Sequence, residues 1–180
     1  MESSRASKIE MEVGSVCERI IVALLIYKFG EANVETEIPI TEPEVDAKLF
    51  EEPVSIKTIT GKSFSGVKLI WTVDAQKAEE FRKNFCPHCD ILLVQINWNS
   101  TGGFYYIPLA VQKRLFDEIG GENYIKLPKA GTKPRGVEIT QEALTSLVED
   151  KESKGIVINW NNIKTEFNSF KRWVDLWRED

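Results

Sequence analysis

"PEVDAKLFEEPVSIKTI", residues 43–59, holds two strand-like runs joined by a short acidic turn, and its reading decides the fold. Asp46 and Lys48 stand two apart in the first run, "EVDAKLF" (44–50). Lys57 stands in the second, "PVSIKTIT" (53–60), eleven residues after Asp46 and two after Ser55. Side chains alternate along a strand, so residues two apart share a face. Asp46 can therefore work with Lys48 on its own strand or with Lys57 on the next.

The stretch sits inside an alternation of helix and strand signals. Upstream, "SVCERIIVALLIYKF" (15–29) predicts a helix with Ser15 as N-cap, Glu18 three residues on in capping-box position, and Gly30 as the stop. Apolar residues surround it, which predicts a buried, central helix. Strands are predicted over 34–40, 44–50, 53–60 and 66–73, each rich in β-branched residues and bounded by Pro, Gly or charged turns. A helix capped by Asp74 follows over 74–85, then a nearly continuous apolar run over 90–98 that predicts a central strand. Further expectations are a strand at 102–109, a helix at 109–119 ended by Gly120-Gly121, a helix at 140–150, a strand at 155–159 and an aromatic-rich helix over about 161–177. This order predicts one mixed α/β domain over residues 1–180.

Composition narrows the function. The 180 residues are 42% hydrophobic, enough for one core. The apolar run Ile20 to Tyr27 is too short to span a membrane, and the acidic N-terminus is no signal peptide. Three cysteines argue against a disulfide framework and for a cytoplasmic setting. The net charge of −5 is unevenly spread: residues 1–60 carry 6 basic and 12 acidic groups, 61–135 carry 11 and 7, and 136–180 carry 6 and 9. The basic middle permits an anionic partner. The single histidine removes most histidine-based hydrolase mechanisms.

Carboxylates and a lysine on one strand pair suit metal-assisted phosphodiester chemistry, because Mg²⁺ takes oxygen ligands and lowers the pKa of bound water. In a first register Asp46 pairs with Lys48, and Glu35 or Glu37 supplies a second acid. In a second register Asp46 pairs with Lys57, Ser55 stands where an acid is usual, and Ile56 lends its backbone carbonyl to the metal. The second is favoured: Lys57 lies in the more apolar strand, where an unpaired charge is costly and Asp46 is the natural partner. Glu18, early in the apolar helix, replaces the missing acid in this register. Its competing role is closure of the capping box, and Asp46 with Lys57 also reads as a plain cross-strand ion pair.

This arrangement resembles the PD-(D/E)xK nucleases, with a helix before a β-hairpin carrying acid and lysine, although Val45 precedes Asp46 and Ser55 replaces the second acid. The spacing from Glu18 to Asp46 to Lys57, with "MEVGSVCERIIVALL" and "EVDAKLFEEPVSIKT" around it, is similar to the ThaI-like type II restriction endonucleases. The resemblance implies a mixed central sheet flanked by helices and a homodimer on double-stranded DNA. It implies Mg²⁺-dependent cutting of a palindrome, CGCG with blunt ends, to 5′-phosphate and 3′-hydroxyl. Glu18 and Asp46 would bind Mg²⁺, and Lys57 would orient or activate water. Met11 matches a residue that wedges into base steps; by itself it reads as a core filler.

The remaining motifs are less telling. "CPHC" (86–89) has zinc-knuckle spacing but only Cys17 remains as a further thiol, so it reads as a helix-to-strand turn. Asn97, Asn99 and Ser100 in one loop and Lys129, Lys133 and Arg135 in another are candidates for bases or phosphates. Trp160, Trp173 and Trp177 read as core or dimer residues. Two other readings keep the fold: a repair or junction nuclease, and a DNA-binding module that has lost catalysis.

Overall fold

The computed structural model describes residues 2–39, 44–128, 136–161, 174 and 177–178, with only the backbone given for 2–15. Six strands form the main sheet in the order β1-β2-β3-β5-β6-β9: β1 Val34–Glu35, β2 Ala47–Leu49, β3 Glu52–Thr60, β5 Asp90–Ile96, β6 Ser100–Ile107 and β9 Lys154–Trp160. β3 and β5 run parallel and the other pairs antiparallel, so the sheet is mixed. A second sheet has the order β4-β8-β7: β4 Lys68–Ile70, β8 Val137–Ile139 and β7 Ile125–Lys126. The helices are α1 Glu2–Phe29, α2 Ala75–Asn84, α3 Leu109–Ile119, α4 Gly121–Tyr124 and α5 Gln141–Glu149.

Two apolar layers cover the main sheet. On one face, Val54 and Ile56 of β3 and Leu92, Val94 and Ile96 of β5 pack with Cys17, Ile21 and Leu25 of α1. The other layer joins Ile59, Ile91 and Leu93 to α2–α5 and the small sheet. β5 is central, as its apolar run predicts, and six of its seven residues are buried. Covered on both sides, it has no polar face to alternate. Asp74 caps α2 through the amides of Gln76 and Lys77, and Thr140 caps α5 through that of Ala143. Gly30, at φ 87°, ends α1, with its amide on the Ile26 carbonyl at 2.8 Å.

Several expectations are corrected. The first helix begins at Glu2, so Ser15 lies within it and cannot be its N-cap. Nor is that helix buried all round: Cys17, Ile21 and Leu25 face the sheet, whereas Val16, Ile20, Leu24 and Tyr27 are exposed. Among the described residues the strand expected over 34–40 is only Val34–Glu35, and that over 44–50 only Ala47–Leu49; just before the latter the Asp46 amide still donates to the Val54 carbonyl at 2.9 Å, while its side chain reaches along the neighbouring strand. Strands β7 and β8 fall in a stretch that reads as loop; each is three residues or fewer, too short for a periodic signal. The helix expected over 161–177 lies outside the described residues except for helical positions at 174 and 177–178.

Candidate active site

The hairpin β2–β3 carries the site. Its turn is two residues, Phe50 and Glu51, with φ of 52° and 70°, between the paired Leu49 and Glu52. Two left-handed residues match the twist of paired strands, although Gly and Asn are the usual occupants. Phe50 compensates by packing edge-on against Phe29 at 5.6 Å, while its amide reaches the Asn33 carbonyl at 2.9 Å. This turn fixes how Asp46 faces the second strand.

Asp46 is anchored through one oxygen. Its Oδ2 accepts the Ile56 amide at 2.6 Å and the Ser55 hydroxyl at 3.2 Å, and Lys57 Nζ lies 3.9 Å away. Among the described residues nothing pairs with Oδ1. Ser55 is 2% exposed, and it spends its hydroxyl on orienting Asp46. The strand face bearing Ser55 and Lys57 is thus enclosed, unlike an ordinary solvated polar face. The Ile56 side chain lies in the α1 layer, as expected.

Glu18 comes to this point from α1. Burial raises its pKa above the usual glutamate range, the charge of Asp46 raises it further, and Lys57 and Arg19 oppose the shift. Burial first and the second carboxylate after it both favour the neutral form of Glu18, and a cation between the two carboxyls would favour the charged one. Asp46 Oδ1, the Glu18 carboxylate and the Ile56 carbonyl are the oxygens available to a divalent ion. Among the described residues no group of three or more His, Cys, Asp or Glu is arranged to hold a metal.

The alternative register is placed elsewhere. Lys48 stands opposite Glu35, with its Nζ 3.9 Å from the Glu35 carboxylate, near the β1 edge of the sheet. Glu37 is exposed and lies outside any strand. A residue that sequence reasoning passed over is Glu44, only 8% exposed, whose carboxylate lies 3.9 Å from His88 Nδ1. Burial raises its pKa, and the charges of His88 and Lys57 pull the other way. The available signal was its position two residues before Asp46.

The proposed DNA contacts are less gathered. Asn97 Nδ2 donates to the Thr101 carbonyl at 3.0 Å, and the Ser100 amide to the Asn97 carbonyl at 3.0 Å, closing the β5–β6 turn. Asn99 holds φ 56° within it. Lys57 is level with Leu93, four residues before Asn97, so this turn begins about 13 Å along the sheet from the level of Lys57. Lys129, Lys133 and Arg135 lie outside the described residues. Met11 lies in the α1 backbone two turns before Glu18 on the same side, roughly 10 Å along the axis; its side chain is not described. Trp160 packs against the α1 layer and edge-on to Trp98 at 6.1 Å, Trp177 is exposed, and Trp173 lies outside the described residues. In the CPHC turn, Cys86 is exposed, whereas Cys89 is buried and its thiol pushed up to about 12, chiefly by burial.

Comparison with known proteins adds an independent line. A family model described as restriction endonuclease ThaI matches residues 1–179. A solved structure, a restriction endonuclease in complex with substrate DNA, is 63% identical to this chain, with a TM-score of 0.87 over 94% of this chain and 82% of that one. Nothing among curated proteins matches. No helix among the described residues is long and apolar enough to cross a membrane.

Proposed function

Because the chain belongs to the ThaI restriction endonuclease family, and is accordingly a type II site-specific endonuclease, we propose that it cuts both strands of CGCG sites as a cytoplasmic homodimer requiring Mg²⁺, leaving blunt ends with 5′-phosphate and 3′-hydroxyl. The observation that carries this reading is Asp46: one oxygen fastened to the Ile56 amide beside Lys57, with the other taking no partner among the described residues and the Glu18 carboxyl close enough to feel its charge.

Glu18, Asp46 and the Ile56 carbonyl would hold the metal. Bound there, Mg²⁺ supplies charge to the scissile phosphate and acidifies its water. The chain's own residues do the rest. Ser55 and the Ile56 amide keep the Asp46 carboxylate from rotating, so its free oxygen is preorganised. Lys57 places a positive charge where the attacking water is oriented and where negative charge grows on the phosphate. Met11 enters a base step as an apolar wedge, at a cost of a few kcal/mol per step. Lys129, Lys133 and Arg135, with Asn97, Asn99 and Ser100, supply phosphate and base contacts.

The test is cleavage of a CGCG duplex, against a scrambled duplex, with and without Mg²⁺. Specific cutting that is lost in Glu18→Ala, Asp46→Ala and Lys57→Ala supports the reading. Cutting retained in Lys57→Ala and lost in Lys48→Ala would overturn the choice of lysine.

A further inference from the structure

We infer that the loop Gly61–Gly66, "GKSFSG", is a backbone contact for the duplex: Lys62 pairs with a phosphate, and the buried Gln95 is the positioning residue that holds the loop for it. The inference rests on the double-stranded DNA reading given above and adds a contact to it.

The first observation is a buried amide that works for the loop. β5 is apolar from Ile91 to Ile96 except for Gln95, which is only 5% exposed. A polar side chain at such a position needs partners. Gln95 Nε2 donates to the Gly61 and Lys62 carbonyls, at 3.1 Å each, so both of its hydrogens go to the loop. Its Oε1 lies 3.5 Å from the Tyr105 hydroxyl. A connection that had only to join β3 to β4 could leave these carbonyls to water.

The second is a further clamp on the same loop. Phe64 packs edge-on against Tyr105 at 5.5 Å. Tyr105 lies back over Gly103, where a Cβ would come 2.5 Å from its ring, and Gly103 stands opposite Gln95 in the sheet. The missing side chain therefore lets one tyrosine reach both Gln95 and Phe64. The Gly61 amide donates to the Ile96 carbonyl at 2.9 Å, which fixes the point where the chain leaves the sheet.

The third is what these anchors leave facing outward. Lys62 and Ser63 are exposed, while Phe64 packs on the core. Among the described residues no acid pairs with Lys62, whereas Lys48, Lys57, Lys68 and Lys126 each have one. Thr60 is level with Ile96, so the loop leaves the sheet at the same end as the Asn97–Ser100 turn. It begins four residues after Lys57, about 13 Å along β3. That is roughly four duplex steps of about 3.4 Å, so one duplex can meet Lys57 and Lys62 together. Lys and Ser are side chains that take phosphate oxygens, and a backbone already fixed has less freedom to lose on binding.

Duplex affinity in Ca²⁺, followed by fluorescence anisotropy over a series of salt concentrations, tests this with a CGCG duplex and a scrambled one. Lys62→Ala should weaken binding to both alike, by about eightfold near 0.1 M salt, and should flatten the slope of log affinity against log salt by about 0.9. Lys62→Arg should keep the wild-type affinity and slope. Gln95→Met keeps the length of the side chain and removes both donors. It should weaken binding about threefold alone, but less than about 1.5-fold in a Lys62→Ala background. A glutamine with a merely structural role would not show that coupling. Lys62 is exposed, so its variants decide the matter if Gln95→Met folds poorly. An unchanged slope in Lys62→Ala, a loss confined to the CGCG duplex, or additive losses in the double variant would each overturn the inference. Wild-type protein that binds neither duplex overturns the underlying DNA reading instead.

Discussion

Two clusters of charge in this molecule have opposite stoichiometry. At the β2–β3 hairpin, three acids (Glu18, Asp46 and Glu44) face one lysine, Lys57, and the closest ion pair among them is 3.9 Å. In the small sheet, one acid faces two lysines: Glu138 on the middle strand stands opposite both Lys68 and Lys126, with contacts of 2.9 and 3.1 Å. The carboxyls report the difference. Burial would raise the pKa of Glu138, but hydrogen bonds and charge from the two lysines outweigh it and hold the acid below its usual range. Glu18 and Glu44 are both held above theirs, burial being the largest cause for each. A saturated acid is structural. A group of acids with fewer cations than carboxyls is the arrangement that the proposed metal would complete.

The largest expected effect separates the clusters by activity. Asp46→Ala should lower cleavage at least about 10³-fold, whereas Glu138→Ala should leave the rate of the folded enzyme within about twofold, measured per mole of competent protein. Stability should reverse the order. Glu138→Ala strands the largely buried Lys68 and should cost about 2 kcal/mol in denaturant melts, while Glu18, whose charged form burial disfavours, should cost little or nothing to neutralise.

Acidity sharpens the contrast. A depressed folded pKa means that Glu138 contributes stability above the unfolded glutamate range and loses it as pH falls through the lower folded value. The gap between wild type and Glu138→Gln should therefore be open at neutral pH and close in acid. The smallest effect is Glu18→Gln, which should raise the Tm of the metal-free protein by roughly 2 °C while abolishing cleavage. Saturating Mg²⁺ should raise the wild-type Tm and leave that of Glu18→Gln nearly unmoved. A fall in Tm for Glu18→Gln without metal would break the comparison.

The main elements were legible where one signal dominated. The continuous apolar run at 90–98 could only be a strand covered on both faces, and Asp74 and Gly30 marked helix ends by chemistry that does not depend on tertiary context. Pairing Asp46 with Lys57 was legible because a lysine in an apolar strand needs an acid nearby, and Asp46 is the closest ion-pair partner of Lys57 among the described residues. Ser15 misled because Ser and Glu three apart make a capping box only at a helix start, and helical propensity continues upstream to Glu2. Ser55 was opaque for a related reason: its hydroxyl goes to Asp46 across the hairpin, a contact set by register. Glu44 was in plain view, but its burial and its 3.9 Å approach to His88 join positions distant in sequence.

The two-residue turn at Phe50-Glu51 has one more consequence: it works as a ruler. With no slack between Leu49 and Glu52, the eleven-residue separation of Asp46 and Lys57 becomes a mechanical dimension of the enzyme. One residue inserted on either arm between them would rotate the downstream side chains to the opposite face of the sheet, sending Lys57 into the α1 layer and Ile56 toward the carboxylates. Point substitutions at the tip can be absorbed, whereas a change of length cannot.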